Sequence, residues 1–383
     1  MTEAAHFEPL RIGQVDVIRQ VPELAWIEEA WRAAAVAAGN LFVTPEWFFE
    51  YLEHTPAGRP AVVVARGDDG RPLAILPLIE EHRVVRFPGG DYGDRFEPLI
   101  LSPDVQLGKV WQTLLGSLRE LFGTKLVVLD KIDRTLVSAA YATRHFEDVE
   151  QVLPYIRLEG VTWDSWFESR TANFRSEVRR KLRGMKSHGF DFAAVEDSPS
   201  AGAAMERHFE LHDRRWATLE GSSTLRSQKA RSFHTGLAQR IAARGWLRLW
   251  FLQAGDRVAA SWYGWNLAGR YSYYQAGFDP EWSRYSPGTL MLAHTVEAAL
   301  AEGASEYDLL LGDEQYKTRF ATEARRAQTI AMPGVWSRHS FRVYGNIAVR
   351  RLHRNLPRRL QESTRRIARS HVVAWAVGWI QVQ

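Results

Sequence analysis

The sequence of 383 residues contains no cysteine. This absence excludes disulfide bonds, thiolate metal sites and a cysteine nucleophile, and it is typical of proteins from a reducing compartment. A long apolar run is also missing, because no stretch approaches the roughly 20 residues of a membrane span. The first residues lack the basic and apolar regions of a secretory signal peptide. We therefore predict a cytoplasmic protein.

Aromatic and basic residues, in contrast, are abundant. The chain has 15 Trp, 18 Phe and 12 Tyr among 45% hydrophobic residues, which is enough to fill globular cores. Its length suits two domains of ordinary size. Arginines and lysines cluster at 170–186 and at 350–369. Clusters of this kind bind phosphate groups, anionic lipid or nucleic acid, and net charge does not choose among them.

The stretch Arg270–Phe320 combines the features expected of a ligand site. Residues 270–277 are aromatic and β-prone, and Ser286 with Pro287 predicts the cap and first turn of a helix that Gly303 ends. Residues 307–311 then predict a buried strand, followed directly by a polar segment. A strand, crossover helix and strand form a βαβ unit, and such units hold ligands at the carboxyl edge of the sheet.

The order of predicted elements repeats along the chain. Strand, acidic-Gly turn, strand, further strand, Ser-Pro helix and strand occur once in residues 61–130 and again in residues 246–311, which predicts a duplicated α/β fold. The two helix starts differ, since Ser102-Pro103 precedes Asp104, whereas Ser286-Pro287 precedes Gly288 and Thr289. A carboxylate repels an anion from a helix N-terminus. We therefore expect the second copy to bind any phosphorylated cofactor.

Several of these segments resemble the GNAT acyltransferase superfamily. They are the strand 271–277, Ser286-Pro287-Gly288, Tyr307-Asp308 and the pattern Gly-x-Glu-x-Tyr-Lys-x-Arg at 312–319. The basic segment 173–186 and Arg214-Arg215-Trp216 make the sequence similar to the exopolysaccharide-biosynthesis (CelD/BcsL-type) branch, which is related in architecture to the FemAB aminoacyltransferases. The resemblance covers residues 42 to 325, and Gly288 stands where the superfamily signature has several glycines.

The resemblance implies a mixed-sheet α/β protein of two tandem GNAT folds. We expect an N-terminal domain at 1–158, a C-terminal domain with cofactor and catalysis at 159–340, and a basic helical tail at 341–383. The donor implied is acyl-CoA, with aminoacyl-tRNA as the alternative. Its pantetheine and pyrophosphate are expected along the strand and at the helix start, on Gln275, Ala276, Gly277, Tyr285, Ser286, Gly288 and Thr289.

Catalysis without cysteine favours direct attack of a substrate amine or hydroxyl on a thioester. Asp308 and Glu314 are the candidate bases, although Asp308 also fits an ordinary strand residue and Glu314 with Lys317 an ordinary helix pair. No histidine has a second ligand at metal spacing, so we predict no metal. The resemblance assigns substrate binding to Arg175, His212, Arg215, Trp216, Tyr316, Lys317 and Arg319. For His212 a packing role is the alternative.

These features together predict an acyltransferase of the EC 2.3.1 class. The acceptor is expected to be an amine or hydroxyl of a sugar, envelope precursor or secondary-metabolite intermediate. A FemAB-like transferase that uses aminoacyl-tRNA and a non-catalytic binding module in polysaccharide synthesis remain open alternatives. The tail, with Trp375 and Trp379 after its arginines, fits either peripheral contact with the inner membrane face or docking on the protein.

Overall fold

A computed structural model describes residues 12–139, 146–148, 150–195, 197–217 and 224–332, together with residues 345 and 348. These residues form two compact units, one reaching Glu150 and resuming at Ala327, the other spanning Gln151–Arg326. The predicted basic tail lies outside the described residues, apart from 345 and 348. Among the helices that are described, none has the length and apolarity needed to cross a membrane.

The first unit contains two sheets with helices packed beside them. Its strands are β1 (Ile12–Ile18), β2 (Gly58–Pro60), β3 (Val62–Gly67), β4 (Pro72–Leu76), β5 (Ile79–Glu81), β6 (Val84–Arg86), β7 (Leu99–Ile100), β8 (Leu126–Asp133) and β9 (Phe146–Glu147). Its helices are α1 (Glu28–Ala37), α2 (Pro45–Glu53), α3 (Leu107–Phe122) and α4 (Arg134–Ala139), with 3-10 helices at Val21–Leu24 and Leu41–Val43. One sheet has the order β1-β3-β4-β7, and the other contains β2-β5-β6-β8.

The second unit contains one sheet of order β11-β12-β13-β14-β15-β10. Its strands are β10 (Gln151–Arg157), β11 (Asp191–Val195), β12 (Leu247–Ala254), β13 (Arg257–Leu267), β14 (Arg270–Phe278), β15 (Glu306–Asp308) and the first part of β16 (Glu323–Met332). Its helices are α5 (Trp163–Glu168), α6 (Ala172–Ser187), α7 (Ser198–Ala217), α8 (Gln228–Ala242), α9 (Pro287–Ala301) and α10 (Gln315–Thr318), with 3-10 helices at Thr224–Arg226 and Pro280–Tyr285. The residues of β16 from Ala327 onward belong to the first unit, where they pair with β8 and β9.

The mixed α/β fold predicted from the sequence is confirmed, and the repeated order of elements is present in part. In the second unit β12, β13, β14, α9 and β15 occur in this order, whereas in the first unit β5 and β6 lie between β4 and the series β7, α3 and β8. The hairpins at the start of each set turn at Gly70 and Gly255, whose positive φ values of 81° and 57° favour glycine. The two units therefore share a hairpin that turns at a glycine and, later in the chain, a strand, a helix and a strand.

The helix start predicted at Ser102-Pro103 is wrong. Helix α3 begins only at Leu107, and Asp104 lies in the turn before it. The buried stripe of α3 begins at Val110 and Trp111, so the helix forms where it can pack against the sheet. A Ser-Pro pair permits a helix start, but packing decides where the helix forms.

One other predicted element is shorter than expected. The strand predicted at 307–311 is limited to Glu306–Asp308, because Leu310 adopts a positive φ of 56° and donates its N–H to Asp308 Oδ1 at 2.8 Å. In the first unit, α1 ends before Gly39, whose φ is 57°. Thr44 then caps α2 by accepting the N–H of Trp47.

Candidate active site

The strands β14 and β15 separate and leave an opening in the sheet. They pair in parallel over three residues, up to Ser272 beside Asp308. Strand β15 ends there, whereas β14 continues to Phe278. Over the second half of β14, the edge that faces away from β13 therefore no longer pairs with β15. Helix α9 follows β14 in the chain, and its first residues lie at this opening.

A β-bulge at Tyr274 determines which side chains face the opening. On β13, Tyr263 lies opposite Gln275 and the next residue, Gly264, lies opposite Tyr273, so Tyr274 is the extra residue. A bulge reverses the alternation of side chains beyond it. Tyr273 consequently faces the same cavity as Ala276 and Phe278, although regular alternation would separate them.

The opening contains a cavity of about 240 Å³. The residues that line it are Arg215, Tyr273, Ala276, Phe278, Ser283, Ser286, Pro287, Gly288, Thr289, Leu292 and Tyr316. They combine one strand edge, the first turn of a helix, two tyrosines and one arginine. Such a mixture of apolar walls with a few convergent polar groups is typical of a ligand site.

The first turn of α9 points at this cavity without a side-chain cap. Ser286 adopts a left-handed conformation (φ 49°), and its carbonyl accepts the N–H groups of Thr289 and Leu290. The predicted cap by its side chain is wrong, because the Ser286 hydroxyl contacts the Lys181 ammonium instead. A Cβ added at Gly288 would meet no atom within 4 Å. The positive end of the helix dipole is therefore accessible to an anion.

Tyrosine and arginine side chains complete the cavity. Burial raises the pKa of Tyr316, with Tyr273 and Glu314 contributing in the same direction, so the phenol stays protonated at neutral pH. Arg215 donates from Nη1 to the Ala276 carbonyl at 3.0 Å, and its guanidinium lies 5.4 Å from the centre of the Phe278 ring. These contacts fix the arginine beside the bulged strand.

The segment that contains this site has a recognisable sequence family. Residues 172–318, from α6 to α10, match the acetyltransferase (GNAT) domain. The chain contains a GNAT domain. The match includes every residue that lines the cavity. No curated protein matches the sequence.

Solved structures extend the likeness in fold beyond the GNAT domain. FemX superposes with a TM-score of 0.60 at 10% identity, covering 82% of this chain and 98% of that one. The C-terminal domain (DUF2156) of a protein assigned as lysylphosphatidylglycerol synthetase, from Agrobacterium fabrum, gives 0.52 at 12% identity, covering 81% and 93%. A conserved protein of unknown function from Bacteroides thetaiotaomicron gives 0.51 at 8% identity, covering 83% and 100%. At such identities these likenesses concern the fold.

The GNAT domain brings together six of the residues predicted from the sequence. Ala276, Ser286, Gly288 and Thr289, predicted for the donor, line the cavity with Arg215 and Tyr316, which were predicted for the substrate. Five lining residues were not predicted from the sequence: Tyr273, Phe278, Ser283, Pro287 and Leu292. Tyr273 could have been found from the aromatic run of β14 only if the bulge had been known.

The other residues predicted for the donor lie beside the cavity. Gly277 packs against α7, since a Cβ there would lie 2.5 Å from the backbone nitrogen of His212. Tyr285 packs against Gly184 of α6, and its hydroxyl lies 2.8 Å from His188 Nε2. Gln275 is absent from the cavity lining. These residues keep the helices close to the strand and to the loop before α9.

His212 is buried between α7 and the sheet, and its ring lies 5.9 Å from that of the half-buried Trp216. Burial, followed by the charge of Arg215, lowers the pKa of His212 to about 4. Two further buried histidines share this region: His208 Nδ1 lies 2.9 Å from the Ser261 hydroxyl, and His234 Nε2 lies 3.2 Å from the Tyr274 hydroxyl. Their pKa values are lowered by burial too. All three are neutral at neutral pH.

Arg175 is also used locally, since its Nη1 donates to the Glu168 and Arg170 carbonyls at the end of α5. It does not line the cavity.

The segment 312–319 folds into a compact turn that presents Tyr316 to the cavity. Gly312 has a φ of 124°, and a Cβ there would collide with the Glu314 carboxylate, so this position requires glycine. Lys317 Nζ donates to the Leu311 carbonyl and lies 3.2 Å from Glu314 Oε2. Arg319 pairs with Glu177 of α6 at 2.7 Å. The motif residues hold one another and α6 in place.

The two predicted bases have different surroundings. Asp308 is 1% exposed, accepts the Leu310 N–H and has Oδ2 at 3.7 Å from Arg325 Nη1. The side chain of Glu314 is 44% exposed. Neither carboxylate lines the cavity. Their assignment as catalytic groups stays a prediction, as does the expectation of no metal; the described residues contain no group of three His, Asp or Glu at metal-binding distances.

Proposed function

We propose that the protein transfers an acyl group from acyl-CoA to an amine or hydroxyl of a small acceptor. The observation that carries this proposal is the cavity of the GNAT domain, where β14 parts from β15 beside the uncapped first turn of α9. That turn suits a diphosphate because it offers the backbone N–H of Gly288 and the positive end of a helix dipole. The strand edge next to it suits the amide-containing arm of CoA.

The donor is held, on this proposal, by the loop and helix start that follow β14. Ser286, Gly288 and Thr289 surround the diphosphate, and Ala276 with Gln275 and Gly277 belongs to the strand along which the pantetheine runs. The open space at Gly288 supports this arrangement, because a phosphate group needs close access to the helix start. Arg215 and Tyr316, which also line the cavity, contact the acyl group and the acceptor on this proposal.

The reaction proceeds by direct attack of the acceptor on the thioester carbonyl. A C–N or C–O bond forms, the C–S bond breaks, and CoA leaves as thiolate. The Tyr316 phenol, kept protonated by burial, lines the cavity and donates a hydrogen bond to the departing thiolate, which then takes a proton from solvent. An ammonium acceptor must first lose a proton, and Glu314, the more exposed carboxylate, receives it through water. Asp308 instead supports the turn at Leu310.

The acceptor belongs to the sugars, envelope precursors or secondary-metabolite intermediates implied by the resemblance to the CelD/BcsL-type branch. The test is to incubate the protein with acetyl-CoA or longer acyl-CoAs and a panel of amino sugars and envelope precursors. Release of free CoA thiol, with an acylated product seen by mass spectrometry, is the expected result. Absence of CoA binding in calorimetry, together with absence of thiol release, would contradict the proposal.

A second candidate is FemAB-like transfer from aminoacyl-tRNA. The observation that favours it is the exposed basic face of α6, formed by Arg179, Arg180, Arg183 and Lys186, since clustered cations bind nucleic-acid phosphates. Transfer that requires charged tRNA and is abolished by ribonuclease would establish it. Binding of a polysaccharide-synthesis partner without any donor binding would instead indicate a non-catalytic module.

A further inference from the structure

One cation of the basic helix α6 is buried whereas its neighbours are in solvent. Lys181 is 9% exposed, while Arg179, Arg180, Arg183 and Lys186 lie on the exposed surface. Burying an ammonium costs free energy unless partners compensate for its lost hydration. Its position beside the cavity therefore calls for a specific explanation.

The partners of Lys181 connect α6 with the start of α9. Its Nζ donates to Glu177 Oε1 at 2.5 Å and to the Ser286 hydroxyl. The other oxygen of Glu177 accepts from Arg319 Nη2 at 2.7 Å. Bonds from Lys181 and Arg319 lower the pKa of Glu177 to about 2, so this carboxylate is ionised at neutral pH. The result is a chain of contacts from the segment 312–319, through α6, to the cavity wall.

The contact with Lys181 changes what Ser286 does. A serine before a helix ordinarily turns its oxygen to the N–H groups of the first turn. Here the hydroxyl is held by Lys181 and the residue has a left-handed backbone, which is unfavourable for a residue with a Cβ. The first turn of α9 consequently has no side-chain cap. Lys181 thus keeps the anion-binding end of the helix available.

The positive charge of Lys181 also favours binding of an anion at the start of α9. A cation near a helix N-terminus is electrostatically unfavourable in the free protein, and Glu177 offsets this repulsion. A bound anion at the first turn of α9 would be attracted both by the helix end and by the ammonium behind Ser286. The arrangement therefore favours a ligand that carries negative charge next to Ser286.

We propose that Lys181 is a positioning residue for the diphosphate of the CoA donor, acting through Ser286. This inference rests on the proposed use of acyl-CoA. It distinguishes Lys181 from the other cations of α6, which do not reach Ser286. It also predicts that the effect of Lys181 is confined to donors that carry the diphosphate.

The test compares the dissociation constants of CoA and of pantetheine, which lacks the diphosphate, for the full-length protein. Lys181→Met should weaken CoA about tenfold or more, whereas pantetheine should change less than about twofold. Arg180→Met is the matched control, because it removes the same charge from the exposed face of the same helix. Lys181→Arg should recover part of the affinity for CoA.

A second variant separates positioning from general support of the fold. Glu177→Gln removes the charge that offsets the ammonium, so CoA affinity should be kept or increased. An equal loss of CoA binding in Glu177→Gln and Lys181→Met would overturn the proposal, as would wild-type affinity in a folded Lys181→Met. If Lys181→Met does not fold, kept or increased CoA affinity of Glu177→Gln supports the proposal, and decreased affinity contradicts it. Failure of the wild-type protein to bind CoA would instead refute the proposed donor.

Discussion

Replacement of Gly288 by aspartate should separate ligand binding from folding. Gly288 lies in the first turn of α9, lines the cavity and has open space where a Cβ would be. An aspartate there fits sterically. It should stabilise the helix by about 0.3–1 kcal/mol, because a carboxylate in the first turn interacts favourably with the helix dipole. Loss of glycine flexibility acts in the same direction.

The same carboxylate should oppose a diphosphate at the helix start. Two like unit charges about 5 Å apart, at an effective dielectric constant of about 20, repel by about 3 kcal/mol. This energy corresponds to a roughly 200-fold weaker dissociation constant for CoA. Calorimetric titration with CoA measures the affinity, and a thermal melt measures the stability. Gly288→Asn supplies a control of equal size without the charge.

The expected outcome is a Gly288→Asp protein that melts at or above the wild-type temperature and binds CoA at least about 100-fold more weakly than Gly288→Asn. If both variants bind CoA equally, the diphosphate does not lie at the start of α9 and the placement of the donor is refuted. If both lose binding equally, bulk rather than charge excludes the ligand.

Three further substitutions and conditions test other parts of the structure. Glu314→Gln should lower kcat by about 100-fold and remove the acidic limb of the pH profile; full activity at every pH would exclude Glu314 as the base. Asp308→Asn should reduce the free energy of unfolding by about 1–3 kcal/mol, because the charge facing Arg325 is lost, and leave CoA affinity unchanged. A stable but inactive Asp308→Asn would assign it to catalysis. Stability should fall as pH drops below about 6.5, by up to about 1.4 kcal/mol per pH unit for each buried histidine, because the unfolded chain gains protons that the folded histidines reject. This loss should continue to pH about 4 for His212 and about 3 for His234. The free energy of unfolding of His234→Gln, measured in urea at several pH values, should fall less steeply with decreasing pH than that of the wild type. An equally steep fall would contradict the assignment.

Local sequence rules correctly predicted where α9 begins, but not which residue the Ser286 hydroxyl contacts. Pro287 and Gly303 are strong signals, and α9 begins at Pro287 and ends shortly before Gly303. The hydroxyl of Ser286, however, is taken by Lys181, which lies 105 positions away in the chain. A rule that considers only neighbouring residues cannot anticipate such a contact. It predicted a side-chain cap where the structure has an open helix end.

The alternation of side chains on β14 was likewise beyond the sequence pattern. The aromatic residues of this strand identified it correctly, but a bulge has no reliable signature when the extra residue is a tyrosine. Tyr273 was therefore not predicted as a site residue, although it lines the cavity with Tyr316. Asp104 was expected in the first turn of a helix, where its charge would repel an anion. The helix begins only at Leu107, because its buried residues pack against the sheet from there on.

The bulge at Tyr274 also restricts how this protein can diverge. Substitutions at Tyr273, Ala276 or Phe278 would reshape the cavity while leaving the register with β13 intact. Deletion of one residue after the bulge, where pairing with β13 is regular, would turn every later side chain of β14 to the opposite face. New specificities in descendants of this chain should therefore arise by replacement of side chains on β14, whereas insertions and deletions should be confined to its flanking loops.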